Sequence, residues 1–138
     1  MPEHHDGTPS SRLRVVLEAE DLLRGHLDVP ITIGALSRSV GVSERTLRNA
    51  FADVHRESPK RYFLNERLRR AQQALSDVRC AETTVTAVAT QYGFYELGRF
   101  ALKYKALFGE SPSHTLRRHR PSTRLRPERR VLRSRVRR

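Results

Sequence analysis

The 138-residue sequence has a single cysteine, Cys80, one methionine and no tryptophan. One cysteine can neither close an internal disulfide nor build a multi-cysteine zinc site, so the chain reads as intracellular and metal-free. No apolar run approaches the roughly 18 positions of a membrane span. The opening MPEHHDGTP has no apolar signal core, so neither secretion nor membrane insertion is expected. Long alternation of apolar and polar residues is also missing. Every strong apolar period between residues 11 and 118 is helical, and the fold expected is all-α. Catalytic patterns are absent as well. His4, His5, His26, His55, His114 and His119 show no metal spacing, and there is no glycine loop to cradle phosphate and no nucleophile motif. Cys80 reads as a small packed residue. Neither an enzyme nor a cofactor is expected.

Acidic side chains are outnumbered 15 to 27, giving a net charge of +12 with neutral histidine. Such a balance favours a polyanionic partner, nucleic acid or an acidic membrane surface. The charge is unevenly placed. Residues 117–138 hold 11 arginines and one glutamate, whereas residues 1–116 are close to neutral at +2, with their excess concentrated at +5 between 31 and 70.

Residues 1–10 are short and polar, with Gly7 and Pro9, and read as a mobile leader. From Ser11 to about Leu27, Leu13, Val16, Leu17, Leu22, Leu23 and Leu27 recur at helical spacing, and Pro30 ends that element. An internal repeat follows. Thr32, Leu36, Val40, Gly41 and Val42 recur 52 positions on as Thr84, Val88, Tyr92, Gly93 and Phe94. Leu47, Phe51, Ser58 and Pro59 recur 53 positions on as Phe100, Tyr104, Ser111 and Pro112, so the second copy has one extra residue after its glycine.

Each copy has the physics of a helix-turn-helix. Thr32 caps a short helix burying Ile33, Leu36 and Val40, and Gly41 supplies the left-handed backbone of a tight turn. Ser43 caps the next helix, which buries Leu47, Ala50 and Phe51 and leaves Arg45, Arg48, Asn49 and Ala52 on the opposite face. Arginine can bind guanine O6 and N7 with two hydrogen bonds, and asparagine can do the same to adenine, at about 1–3 kcal/mol of discrimination each. A merely solvated polar face is the alternative. In the second copy, Leu97, Phe100, Ala101, Tyr104 and Phe108 form the expected buried stripe. Its outer face offers Arg99 and Leu102 to bases, and Lys103 and Lys105 to phosphate.

Between the copies, residues 59–78 read as a linker helix about 30 Å long, close to the roughly 34 Å between successive major-groove faces on one side of a duplex. Ser58 caps it and Pro59 opens it, so its first amides, with Lys60 and Arg61, form a candidate phosphate clamp. The same pair is also simply a good helix start. Ser43, heading the first reading helix, joins the phosphate-contact candidates.

These residues give the chain a likeness. VAxxYGFxELGRFxxxYKxxFGESP in the second copy, with LSRSVGVSERTLRNAF in the first, resembles the DNA-binding domain of AraC/XylS-type bacterial transcriptional regulators over roughly residues 11–119. The resemblance implies about seven helices and two helix-turn-helix motifs, units of about 31–58 and 84–111, touching two adjacent major-groove segments of double-stranded DNA. It also implies base contacts from Arg45, Arg48, Asn49, Arg99 and Leu102, and contact with RNA polymerase. Ser37 stands where the family usually has alanine, Gly34 weakens its helix, and neither Tyr95 nor Glu96 is a strong cap for the second reading helix. Most relatives carry a further effector-binding or dimerisation domain, which the leader is too short to be. The chain is thus either a stand-alone regulator or a piece of a longer one, and no small-molecule site is expected within it.

Residues 120–138, arginine-rich and without lysine, read as a disordered tail attracted to phosphate. The expectation is a cytoplasmic, nucleoid-associated, sequence-specific regulator. The competing reading is a non-specific basic RNA-binding or architectural protein acting mainly through that tail.

Overall fold

Among the described residues, six of the seven helices start at a serine or threonine whose side-chain oxygen accepts a backbone amide three residues on. The computed structural model describes residues 8–79 and 82–121, and expectations for His4, His5, Cys80 and the tail beyond Pro121 lie outside the described residues. The helices are α1 (Pro9–Arg24), α2 (Ile33–Val40), α3 (Glu44–His55), α4 (Pro59–Ser76), α5 (Val85–Gln91), α6 (Leu97–Phe108) and α7 (Pro112–His119). Among the described residues there is no strand, as the sequence periodicity predicts.

The internal repeat is a repeat of hydrogen bonds. Thr32 accepts from the amide of Ala35 at 3.0 Å, and Thr84 from that of Ala87 at 3.1 Å. Gly41 and Gly93 close the two turns at φ 87° and 86°. The amide of Val42 donates to the Ser37 carbonyl at 3.0 Å, and 52 residues later Phe94 donates to Ala89 at 2.9 Å. Ser58 and Ser111 then cap α4 and α7, each followed by a buried proline. The start of α4 and all of α7 are therefore the third helices of equivalent units. Ser37 is buried, and its hydroxyl is satisfied by donating to the Gly34 carbonyl at 2.9 Å.

Two apolar cores form around α4. The first joins Val15, Val16, Ala19 and Leu23 of α1 to Leu36, Leu47, Ala50, Phe51 and Phe63. The second joins Leu68, Ala71 and Leu75 of α4 to Val88, Ala89, Phe94, Phe100, Tyr104 and Leu116. Tyr92 packs against both.

Several expectations need correction. Pro9 and Ser10, assigned to the leader, already belong to α1, because Thr8 caps it and proline suits its first turn. This helix stops at Arg24, three residues short of Leu27, with Gly25 as its cap. Its buried face is also rotated: Leu13 and Leu17 are 47% and 49% exposed, while Val15 and Ala19 turn inward against α3. The linker helix ends at Ser76 rather than 78, where Asp77 leaves helical geometry. At 39% exposure Leu97 is not part of the buried stripe, since it opens α6 before the helix reaches the core.

Candidate nucleic-acid interface

The first reading helix is held from behind by Leu47, Ala50 and Phe51, which are fully buried. That anchoring turns Arg45, Arg48 and Asn49 outward, all exposed as the period-3.6 reading predicts. The three differ in their surroundings. Arg48 is paired one turn back with Glu44 at 3.1 Å, whereas Arg45 makes no ion pair or hydrogen bond with the described residues. Asn49 borders a shallow recess with Arg12, Ala52, Asp53 and Arg56. Arg12 reaches Asp53 there at 3.6 Å. The Ser43 hydroxyl accepts the Thr46 amide and donates to the Thr46 hydroxyl, both at 3.0 Å, so its capping duty already engages it.

The second reading helix starts differently. Glu96 occupies its cap position without a side-chain hydrogen bond, as the weak-cap reading of Tyr95 and Glu96 anticipates. Instead Glu96 pairs with Arg99 at 3.2 Å. Leu102 is 74% exposed, an apolar side chain that core packing does not require.

Between the units lies a cleft of about 570 Å³. Its floor is apolar, with Leu23, Ile31, Ile33, Leu36 and Phe63, and its walls carry Lys60, Arg61, Arg67, Arg99 and Lys103 with no carboxylate among the lining residues. Ser58 and Pro59 at the start of α4 complete the wall. Five of the sequence-predicted site residues, Ser58, Lys60, Arg61, Arg99 and Lys103, thus converge on one concave surface. Ser43, Leu102 and Lys105 lie outside it. A helix start with free amides beside several cations is suited to an anion. The Ser58 hydroxyl accepts from the Arg61 amide at 3.1 Å and Arg61 is 3.7 Å from Glu57, whereas Lys60 and Lys103 make no ion pair among the described residues.

Sequence reasoning missed Arg67, Arg12 and Arg56. Arg67 carries no mark to separate it from its neighbours in NERLRR, and only the fold shows it in the cleft, where burial pulls its guanidinium below the usual arginine value. The Glu44–Arg48 pairing was legible from its i,i+4 spacing. Among the described residues no group of three or more histidine, cysteine, aspartate or glutamate side chains could hold a metal.

With this geometry established, known proteins supply a comparison. A helix-turn-helix domain family matches residues 36–118. A solved structure of a probable AraC family transcriptional regulator from Rhodopseudomonas palustris superposes with a TM-score of 0.71 at 40% identity, covering 78% of this chain and 99% of that one. The probable thc operon regulatory protein of Rhodococcus erythropolis is 38% identical over 103 residues, which is 75% of this chain and 31% of that protein. A XylDLEGF operon transcriptional activator of Pseudomonas putida is 36% identical over 111 residues, 80% of this chain and 33% of its own length. The chain therefore spans about a third of the length of the curated relatives it matches.

Proposed function

Because the chain belongs to the AraC/XylS family of helix-turn-helix transcriptional regulators and carries the fold of its DNA-binding domain, we propose that it grips one face of duplex DNA through α3 and α6, set into adjacent major-groove segments. In this reading Arg45, Arg48 and Asn49 address bases in one segment, and Arg99 and Leu102 address the other. The single observation that carries it is the convergence of the α4 start and the α6 side chains on one carboxylate-free cleft. Between two successive major-groove segments lies the minor groove with its bounding phosphate backbones, and in this reading Lys60, Arg61 and Lys103 meet that backbone, with Ser43 and Lys105 as outer phosphate contacts. Phosphate contacts fix register while base edges carry the sequence information, so this division of labour suits a specific reader. No described helix is long and apolar enough to cross a membrane. A nucleoid-associated place in the cytoplasm follows from the DNA-binding reading itself. Contact with RNA polymerase, once bound, completes the proposal, and the operon activator among the relatives is consistent with it.

The experiment is selection from random-sequence duplexes with the full chain. A paired motif should be enriched. Arg45→Ala should lose preference at one base position, by about 1–3 kcal/mol, while binding elsewhere in the motif persists. Enrichment of no motif, or an Arg45→Ala profile identical to the wild type, would favour the non-specific basic reading instead.

A further inference from the structure

Three segments meet where the two units join. Arg67, midway along α4, extends its guanidinium between Phe63 of the first core and Phe94 of the second, with Cζ 4.7 Å and 5.8 Å from the two ring centroids. Its buried Nε makes no hydrogen bond with the described residues. Against the guanidinium lies the turn of the second unit. A Cβ built on Gly93 would stand 3.4 Å from Arg67 Cζ and 3.2 Å from the Asp28 carbonyl oxygen. That carbonyl belongs to the loop between α1 and α2, and it also accepts a hydrogen bond from the Tyr95 hydroxyl at 3.3 Å. The first unit, the linker and the second unit therefore touch at one place.

An arginine in this position is a poor choice for stability alone. Arg67 is partly buried, and burying its Nε without a hydrogen-bond partner among the described residues costs free energy that a methionine or leucine filling the same space would avoid. What the arginine offers is a flat, stiff plate with an attraction for aromatic faces on both sides. We propose that Arg67 is a positioning residue, a spacer between the two cores that sets the separation and angle of α3 and α6 and so selects the number of base pairs allowed between the two half-sites. This inference rests on the two-groove reading above. Adding one base pair moves the second half-site by about 3.4 Å and turns it by about 35°, a displacement that close-packed interiors resist. A chain with the plate in place accepts one spacing. Without it, the junction yields and neighbouring spacings become tolerable.

The test uses the full chain and a library of random-sequence duplexes, and its readout is the distance between the two enriched motifs. The wild type should return a single spacing. Arg67→Ala should keep both motifs, because the reading faces of α3 and α6 are untouched. It should also raise the share of sites one base pair longer or shorter roughly tenfold, equivalent to about 1.4 kcal/mol of lost restraint. Arg67→Lys, which restores a cation to the ring faces, should recover part of the selectivity. A stability defect alone lowers the active fraction and leaves the spacing where it was. If Arg67→Ala does not fold, Tyr95→Phe decides: its side chain is 66% exposed, and loss of the hydroxyl releases Asp28 and should broaden the spacing in the same direction. An unchanged single spacing in Arg67→Ala, or in Tyr95→Phe where the first variant fails to fold, overturns the proposal. A wild-type selection that yields no paired motif is a separate result, which removes the two-groove reading and this inference with it.

Discussion

His55 Nε2 lies 2.5 Å from a carboxylate oxygen of Glu20, and the His55 ring stacks on Tyr62 with centroids 4.2 Å apart. Three helices, α1, α3 and α4, are tied together by this cluster behind the first reading helix. The Glu20 side chain is only 12% exposed, with Arg24 at 3.8 Å as its remaining charged neighbour. Removing the histidine takes a close partner from a mostly buried carboxylate and leaves it the Tyr62 hydroxyl and Arg24. His55→Ala should cost about 1–3 kcal/mol, seen as a lower denaturant midpoint with the selected DNA motif unchanged. A change in motif without a loss of stability would place His55 in the interface instead.

Glu44 should act against non-specific binding. It pairs with Arg48 one turn on at 3.1 Å, and in the proposed docking its charge would repel phosphate at the outward face of α3. Glu44→Gln frees the arginine and removes the repulsion. Affinity for random duplex should rise about threefold to tenfold while the preference for the selected motif narrows, measured by competition binding at fixed salt. Equal affinities for random DNA before and after the substitution would mean that the pair is only a solvated surface contact.

Glu110 should make stability depend on acid pH. Tyr104 donates to Thr115 at 2.8 Å, Thr115 donates to the Glu110 carboxylate, and Arg118 donates to the same carboxylate at 2.5 Å. The Thr115 and Arg118 hydrogen bonds hold the Glu110 carboxyl below its ordinary value. A carboxylate depressed in the folded state stabilises the fold above its unfolded value, and the gain is lost as pH falls through the lower folded value. Wild type and Glu110→Gln should therefore differ most in thermal midpoint above about pH 5, begin to close below the ordinary glutamate value of about 4.3, and converge once pH has fallen through the lower folded value. A difference that persists unchanged to low pH would assign the effect to packing.

The arginine-rich end sets salt sensitivity in our reading. Ending the chain at residue 119 removes 9 of the 11 arginines found from 117 onward. For every phosphate the shortened chain no longer neutralises, the plot of log affinity against log salt should flatten by about 0.9. That chain should keep the motif preference and bind more weakly at low salt. Abolition of all binding would support the rival reading, in which the tail is the main contact.

How much of this was visible in the chain follows from what each feature depends on. Thr32, Ser58, Thr84 and Ser111 announce helix starts because capping is local chemistry, and Gly41 and Gly93 announce turns because a left-handed backbone favours glycine. The outward face of α3 follows from its three buried neighbours. In α1 the sequence offers two apolar stripes, and only packing against α3 decides that Val15 and Ala19 turn inward rather than Leu13 and Leu17. The meeting of Lys60 and Arg61 with Arg99 and Lys103 depends on the angle between units. No spacing along the chain encodes that angle, and the place of Arg67 was hidden for the same reason.

Tyr92 rests on both apolar clusters, and α4 feeds Phe63 to one and Leu68, Ala71 and Leu75 to the other. Opening either half strips cover from the other, so heating should meet one cooperative melting unit rather than two. The doubled motif thus keeps two interiors that share one middle helix, and a cut in that helix would take part of the cover from each.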